Sequence, residues 1–276
     1  MPELPEVHTI VTDLDKNIKN YKIVKAWVSD GYPKIVSKED FVNGVTGATV
    51  LNVKRIAKNI IVELDNQKYL LIHLAMTGQV FLLDPGQKHG KRAHVVFQIR
   101  KDKDNKILTF TDTRMFGKVA LVSSDNIKEL EQKYGVEPIS ENIATEDIYA
   151  KLKNRKAIIK NILMDQSIIA GLGNIYATEA LFLAKINPKE QMRDITKEKF
   201  INLLECAKNV LKMGIKNRGS TLPDKTYVDI WGNEGAQQNY FNVYLKDKCV
   251  VCDSKISYIK IGGRGTYFCP VCQPLT

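Results

Sequence analysis

The chain has 276 residues, which allows one large domain or two ordinary ones and excludes a small scaffold that needs disulfide bonds to fold. Hydrophobic residues make up 44% and charged residues 26%, the composition of an ordinary globular protein. Lys and Arg number 41 against 31 Asp and Glu, and the formal net charge of +10 favours a polyanionic partner, either nucleic acid or an anionic membrane.

The N-terminus shows no targeting signal. The first residues, MPELPEVHT, are acidic and rich in proline, unlike the basic start and apolar core of a signal peptide. The longest apolar stretch, around 69–76, contains His73 and is too short to span a bilayer. The sequence therefore predicts a cytoplasmic protein without a membrane partner, in which cysteines stay reduced.

A short amphipathic helix is predicted first, followed by strands. Apolar residues recur at helical spacing at Val7, Ile10, Val11, Leu14 and Ile18. From about 21 to 122, stretches rich in β-branched and aromatic residues alternate with turn sequences such as Asp30-Gly31. The strand-like stretches are KIVKAWV, NIIVEL, YLLIHLAM, HVVFQIR, KILTF and KVALV. This pattern predicts a β-sandwich or a flattened barrel.

The chain becomes helical after about residue 134. Helical periodicity is clearest over 197–212, and Arg218-Gly219 is expected to end that helix with a glycine cap. The polar stretch 219–238 is long for a compact domain, so it is either mobile or functional. The sequence predicts an α+β chain with three domains: a β-sandwich with a leading helix over 1–134, a helical domain over 135–238 and a cysteine-rich domain over 239–276.

Four of the five cysteines form two C-x2-C pairs near the C-terminus: Cys249, Cys252, Cys269 and Cys272. Each pair presents two thiolates from one tight turn, and two such turns complete a tetrahedron around zinc. Coincidence or disulfides are the alternatives, and an intracellular location argues against disulfides. Because four ligands leave no open position, we expect one structural zinc ion per chain. The fifth cysteine, Cys206, is interpreted as a small buried hydrophobe.

Four segments, in this order along the chain, resemble formamidopyrimidine-DNA glycosylase: PELPEV after Met1, DTRMFG, GLGNIYATEAL and GGRGTYFCPVC. The resemblance covers essentially the whole chain. It implies a catalytic β-sandwich, a helical domain with a helix–two-turn–helix motif and a lesion loop, and a C-terminal zinc ribbon, with DNA in the cleft between domains. Endonuclease VIII, a relative that favours oxidised pyrimidines, usually opens PEGPE, so Leu4 favours the branch that excises purines.

The resemblance implies base-excision repair of 8-oxoguanine and formamidopyrimidines in duplex DNA, by glycosidic cleavage through a Pro2 Schiff base and then β,δ-elimination. Removal of Met1 exposes the secondary amine of Pro2, whose attack on C1′ of the sugar gives an iminium. Glu3 can act as general acid or base at the sugar ring. By resemblance, Lys58 assists β-elimination and holds the adjacent phosphate. Arg264, in the glycine-rich stretch between the cysteine pairs, binds phosphates that flank the lesion and is linked to δ-elimination.

Contacts with double-stranded DNA are also implied by the resemblance. Once the damaged base is flipped out, the gap in the stack is expected to be filled by Met76, Arg114 and Phe116. Asn174 matches a phosphate contact, and Arg92 and Lys156 match further DNA-contacting positions. Each of these residues also has an ordinary structural interpretation. Met76 and Phe116 could pack in the core, Asn174 could be a helix N-cap, and Pro2-Glu3 could be an ordinary helix N-terminus. Lys58 could be a solvated strand lysine, and Lys156 and Lys160 could lie on a solvated helix face.

The chain departs from the family pattern at several positions. His8 stands where Glu is usual, Ala93 lies within Arg92-Ala93-His94 where His-Asp-His is commoner, and Met115 replaces a basic residue. The lesion loop reads STLPDKTYV, which is longer than the family form. We expect a monomeric, nucleoid-associated enzyme of bacterial type. The rival interpretations are an endonuclease VIII-like enzyme and a non-catalytic zinc-ribbon protein that binds DNA or RNA, although a binding module has no need for Pro2-Glu3.

Overall fold

The chain divides into two compact units, each of which is built from more than one stretch of sequence. A computed structural model describes residues 1–32, 35, 37–87, 90 and 92–275. Unit 1 comprises Met1–Gln132 and Asn217–Ala236, and unit 2 comprises Lys133–Lys216 and Gln237–Thr276. Within the described ranges, no helix is long and apolar enough to cross a membrane.

Unit 1 begins with helix α1 (Leu4–Ile18), as the apolar spacing predicts. Pro5 lies in its first turn, where an amide N–H has no helical partner, and Glu6 provides negative charge at the positive end of the helix dipole. All five apolar residues of the predicted face are buried. Two further helices of this unit are α2 (Lys38–Val45) and α3 (Ser124–Gln132).

The strands of unit 1 form two four-stranded antiparallel sheets, ordered β1-β6-β7-β5 and β2-β3-β4-β8. Their bounds are β1 (Lys22–Val28), β2 (Val50–Ile56), β3 (Asn59–Leu64), β4 (Tyr69–His73), β5 (Gly78–Leu83), β6 (Ala93–Lys101), β7 (Asp104–Asp112) and β8 (Lys118–Val122). All six predicted strand stretches are confirmed. The sequence analysis did not single out β2, whose polar positions interrupt its apolar run, or β5, whose apolar run of four residues is short.

One hydrophobic cluster joins the two sheets. It contains Phe97 and Phe110 from the first sheet, Ile60 and Ile72 from the second, and the apolar face of α1. Side chains from two sheets that meet in one core define a sandwich, so the predicted β-sandwich is confirmed.

Unit 2 consists of helices and a hairpin that is flanked by the two cysteine pairs. The helices are α4 (Thr145–Leu152), α5 (Ile159–Met164), α6 (Asn174–Leu183) and α7 (Lys197–Lys216), and the hairpin strands are β9 (Ser257–Ile261) and β10 (Arg264–Phe268). Helix α7 extends beyond the predicted 197–212. The left-handed residues that follow it are Arg218 (φ 59°) and Gly219 (φ 80°), so an arginine shares the role expected of glycine alone.

The segment 217–236 packs within unit 1. The sequence analysis places it in the helical domain over 135–238, yet Tyr227 and Ile230 belong to the core of the sandwich. The N–H of Leu82 donates to the carbonyl oxygen of Ile230 at 2.9 Å, and the N–H of Ala236 donates to that of Asn217 at 2.9 Å. The second bond closes the base of the segment. The segment packs against the sheets because its few aromatic and aliphatic residues are buried in their core, although most of its sequence is polar.

Candidate active site and DNA-contacting residues

Pro2 and Glu3 lie at the N-terminus of α1. Both are buried, with Glu3 only 2% exposed, whereas Met1 before them is 40% exposed. Glu3 occupies the N-cap position, and its backbone N–H donates to Oε2 of Glu6 at 2.8 Å. This bond fixes the chain direction at two predicted catalytic residues, while Met1 projects towards solvent.

Glu6 also connects α1 to the segment 217–236. Its Oε1 accepts the backbone N–H of Ser220 at 2.7 Å. A Cβ added to Gly219 would lie 2.9 Å from Cγ of Glu6, which is closer than side chains pack. Glycine therefore allows the close approach that this bond requires, and its positive φ of 80° reinforces that requirement.

Lys58 lies in the tight two-residue turn between β2 and β3. Ala57 adopts a left-handed conformation with φ 50°, and Nη1 of Arg55 donates to its carbonyl oxygen at 2.8 Å. Lys58 is only 6% exposed. It is therefore not a solvated strand lysine, because the hairpin holds it in a buried position where its charge has a large electrostatic effect.

His73 is a neighbour of Lys58 that the sequence analysis did not assign to the site. On β4 it pairs with Asn59 of β3, and its Nδ1 lies 3.0 Å from Oδ1 of Asn59. Nδ2 of Asn59 donates to the carbonyl oxygen of Ile56 at 3.0 Å, which orients Oδ1 towards the imidazole. Burial, and then the charge of Lys58, lower the pKa of His73. The sequence feature that could have identified His73 is its position as a lone histidine at the end of the apolar stretch YLLIH.

The predicted wedge residues come together on unit 1. Nη1 of Arg114 lies 3.4 Å from Sδ of Met76, and its guanidinium carbon lies 4.8 Å from the ring centroid of Phe116. Phe116 is 55% exposed, so core packing does not explain it. The three side chains form one cluster that combines an exposed aromatic ring with a cation.

Asp112 holds the loop that carries this cluster. Its side chain is buried, and it accepts the backbone N–H of Arg114 at 3.1 Å and that of Gly117 at 2.6 Å. Arg92 is exposed beside the same loop, where its Nη1 donates to the carbonyl oxygen of Thr113 at 3.0 Å. The loop is therefore fixed from within by a carboxylate and from outside by a cation.

In unit 2, Asn174 begins α6 and connects it to two other parts of the unit. Its Nδ2 donates to the carbonyl oxygen of Gly265 at 2.9 Å, and its Oδ1 accepts Nζ of Lys160 at 2.7 Å. Lys160 is fully buried and also donates to Oγ1 of Thr266 at 2.5 Å. The interpretation of Lys160 as part of a solvated helix face is wrong, because this ammonium group joins α5, α6 and the hairpin β9–β10.

Arg264 lies at the start of β10 and is exposed. The turn before it contains Gly262 and Gly263 at φ 55° and 74°. A Cβ added to Gly262 would lie 2.6 Å from Oδ1 of Asn161, so the turn packs closely against α5. Lys156 is exposed in the segment before α5 rather than on a helix.

The four thiol groups of the C-terminal pairs converge. The Sγ atoms of Cys249, Cys252, Cys269 and Cys272 lie within 4.8 Å of one another. The Sγ–Sγ separations are 3.8 Å for Cys249–Cys272 and 3.5 Å for both Cys252–Cys269 and Cys252–Cys272. A tetrahedral zinc ion with Zn–S bonds of about 2.3 Å requires sulfurs about 3.8 Å apart. The cluster therefore fits one structural zinc ion, with every ligand supplied by the protein.

Three family models match the chain. They are the Formamidopyrimidine-DNA glycosylase N-terminal domain over residues 1–119, the Formamidopyrimidine-DNA glycosylase H2TH domain over 134–226, and a zinc finger found in FPG and IleRS over 246–275. The matched ranges contain all the site residues that the sequence predicted.

Relatives and solved structures agree with these matches. The chain is 36% identical over 278 residues to a formamidopyrimidine-DNA glycosylase of Herpetosiphon aurantiacus, covering 99% of this chain and 100% of the relative. A mutant Lactococcus lactis FPG in complex with Fapy-dG containing DNA is similar, with a TM-score of 0.90, 33% identity and coverage of 99% and 100%. The wild-type L. lactis protein in complex with DNA that contains an oxidised pyrimidine has a TM-score of 0.88, 33% identity and the same coverage, 99% and 100%.

Proposed function

The chain belongs to the formamidopyrimidine-DNA glycosylase family, and on that premise we propose that it excises 8-oxoguanine and formamidopyrimidines from duplex DNA and then cuts the backbone. The observation that carries the proposal is the N-terminus of α1, where Pro2 precedes a buried Glu3 whose backbone is capped by Glu6. The likeness to a solved FPG complex with Fapy-dG containing DNA supports the substrate class.

The first step is covalent catalysis at Pro2. After Met1 is removed, the secondary amine attacks C1′ of the damaged nucleotide, and the glycosidic bond breaks as its electron pair leaves with the base. The departing base takes up a proton, and the sugar opens to an iminium on Pro2. Glu3 transfers protons at the sugar ring. Splitting one hard displacement into two easier steps is the advantage of the covalent intermediate.

The second step is elimination. The iminium acidifies the C2′ protons, so loss of one of them expels the 3′-phosphate, and a second elimination expels the 5′-phosphate. Lys58 holds the adjacent phosphate and assists the first elimination, and Arg264 binds flanking phosphates and serves the second. The burial of Lys58 supports this role, because an ammonium group in a region of low dielectric attracts a phosphate strongly.

The remaining contacts hold the DNA open. Met76, Arg114 and Phe116 fill the space that the flipped base leaves, and Arg92, Lys156 and Asn174 contact the DNA beside it. The zinc ion stabilises the hairpin that carries Arg264. The enzyme works as a monomer on nucleoid DNA in the cytoplasm.

Borohydride trapping tests the proposal. Reduction of the iminium on a duplex with one 8-oxoguanine should give a covalent protein–DNA adduct whose peptide map assigns the bond to Pro2. A version with Met1 retained behind an N-terminal tag should give no adduct. Pro2→Gly is not decisive, because glycine also offers an amine. An adduct mapped to Lys58 would contradict the assignment of Pro2.

An oxidised pyrimidine is the second candidate substrate, since a similar L. lactis protein has been solved in complex with such DNA. The same trapping assay should therefore include a duplex with thymine glycol. A clear preference for thymine glycol over 8-oxoguanine would assign the chain an endonuclease VIII-like activity instead.

A further inference from the structure

Arg218 forms a double ion pair inside unit 1. Its Nη2 lies 2.6 Å from Oδ2 of Asp13 on α1 and 2.9 Å from Oδ2 of Asp229 further along its own segment. Nη1 makes a second contact with Asp13, 3.4 Å from Oδ1. The side chains of Asp13 and Asp229 are 8% and 4% exposed, so one guanidinium serves two nearly buried carboxylates.

The carboxylate of Asp229 also organises the turn that follows it. It accepts the backbone N–H of Trp231 at 3.0 Å and that of Asn233 at 2.8 Å. Burial favours the neutral acid, but the hydrogen bonds from Asn233 and the ion pair with Arg218 outweigh it and hold the pKa of Asp229 below its ordinary value. Asp229 is therefore charged, and removal of Arg218 would leave it facing the Asp13 carboxylate.

The backbone conformation of Arg218 connects this ion pair to the positions of Gly219 and Ser220. Arg218 is left-handed at φ 59°, and its carbonyl oxygen accepts the hydroxyl of Tyr227 at 2.8 Å. The chain then passes through Gly219 so closely to α1 that Ser220 donates to Glu6 at 2.7 Å. The other oxygen of Glu6 accepts the N–H of Glu3, so one carboxylate bridges the backbones of Ser220 and Glu3.

Burial divides the rest of the segment into an anchor and a tip. Residues 227–230 are buried, and Thr221 accepts the N–H of Gly235 and donates to the carbonyl oxygen of Tyr227, both at 2.9 Å. Only 223–225 are exposed in the stretch between Thr221 and Tyr227. The segment is therefore held at both ends, and its exposed tip is fixed as well, since Nε2 of Gln79 donates to the carbonyl oxygen of Lys225 at 3.0 Å.

We propose that Arg218 is a positioning residue for base excision, which holds Ser220 and Thr221 beside Glu3 as a preformed wall for the extruded base. The inference rests on the proposed function, in which this segment is the lesion loop, and it adds that the ion pair of Arg218 holds the first residues of that loop in place. It predicts that Arg218 matters when a damaged base must be held, and matters little when the base is already absent. A well-placed contact of this kind affects rates by orders of magnitude.

The test compares two reactions of the full-length enzyme. Arg218→Gln should lower the single-turnover rate of 8-oxoguanine excision roughly 10-fold or more, while strand cleavage at a preformed abasic site stays within about twofold of wild type. Asp13→Asn, which weakens the same ion pair from α1, should give the same split. Arg100→Gln removes an equal charge from an exposed position on β6 and should leave both rates unchanged.

Unchanged excision in Arg218→Gln would overturn the proposal. Equal loss of both reactions in Arg218→Gln protein whose urea midpoint matches that of Arg100→Gln would also overturn it, because the ion pair would then serve both reactions alike. A wild-type enzyme that cuts abasic sites but excises no oxidised purine would refute the proposed function instead. In that case hydrogen exchange at the Ser220 amide tests whether Arg218 positions Ser220: faster exchange in Arg218→Gln than in Arg100→Gln supports this role, and equal exchange refutes it.

Discussion

The carboxylate of Glu6 accepts the backbone N–H of Ser220 at 2.7 Å, across 214 positions of sequence. Its other oxygen accepts the N–H of Glu3 at 2.8 Å, and the residue is only 2% exposed. A carboxamide has one acceptor oxygen, so Glu6→Gln would leave one buried N–H facing an NH₂ group. We expect the free energy of unfolding of unit 1 to fall by about 1–3 kcal/mol.

Tryptophan fluorescence during urea denaturation measures this loss selectively. Both tryptophans of the chain, Trp27 and Trp231, belong to unit 1, so their signal follows that unit alone. Glu129→Gln, at an exposed position on α3, is the matched control and should not shift the midpoint. Equal midpoints for the two variants would show that Glu6 does not stabilise unit 1.

Local patterns in the sequence were sufficient for much of the architecture. The five-residue apolar face of α1 and the strand-like stretches are signals that a few neighbouring residues carry, and the structure confirms them. The C-x2-C pairs are equally local, since two tight turns suffice to gather four thiol groups. The wedge cluster was reached by resemblance, because neither Met76 nor Phe116 differs from a core residue by its own pattern.

Long-range contacts explain what the sequence concealed. Lys160 looked like one more solvated lysine, and its burial depends on partners at Asn174 and Thr266 that no spacing rule connects to it. The segment 217–236 is polar in composition, yet its few apolar residues enter the core of the sandwich. Its ion pair between Arg218 and Asp13 joins residues 205 positions apart, so only the folded chain reveals it.

Zinc should be required for the fold of the hairpin that carries Arg264. Because ligand binding and folding are coupled at a structural zinc site, Cys249→Ala should unfold the ribbon and abolish tight DNA binding. Cys206→Ala is the control, since Cys206 lies on α7 and is not one of the four clustered thiols; it is half-buried, whereas the sequence analysis interprets it as a small buried hydrophobe. Elemental analysis should give one zinc per chain for wild type and Cys206→Ala. An active wild-type preparation without zinc would contradict this assignment.

The pKa of His73 provides a prediction for pH dependence. Burial and the charge of Lys58 place it below the ordinary value of 6.5. As pH falls below about 6.5, the unfolded chain therefore binds a proton before the folded chain does, and the free energy of unfolding decreases until the folded imidazole also titrates. Lys58→Met should raise the pKa of His73 and make this decrease shallower, yet leave the pKa below 6.5 because burial is the larger cause.

Two measurements check the His73 prediction. NMR titration of the imidazole, assigned with His73→Gln, gives the pKa in wild type and in Lys58→Met. Urea denaturation between pH 7.5 and 5.5 gives the slope of stability with pH, and the His73→Gln variant shows how much of it other groups cause. A wild-type pKa at or above 6.5 would show that neither burial nor Lys58 acts on this ring as inferred.

The base opposite the lesion should determine the rate of excision through Arg114. The guanidinium is supported by the ring of Phe116 at 4.8 Å and by Sδ of Met76 at 3.4 Å. An orphaned cytosine presents its N3 and O2 as adjacent acceptors, which match the adjacent donors of a guanidinium. Adenine presents an amino donor on that edge, which opposes the arginine. We therefore expect faster excision of 8-oxoguanine opposite cytosine than opposite adenine.

A bidentate match of this kind is worth about 1–3 kcal/mol, which corresponds to roughly 5- to 150-fold in rate. Single-turnover excision on four duplexes that differ only in the opposing base measures the ratio. Arg114→Lys keeps the charge but loses the paired donors, so it should reduce the preference. Arg114→Ala should abolish the preference. If the guanidinium makes the discriminating contact, the preference must exist in wild type and disappear in Arg114→Ala. Equal wild-type rates opposite cytosine and adenine, or an unchanged preference in Arg114→Ala, would therefore exclude Arg114 from recognising the orphaned base.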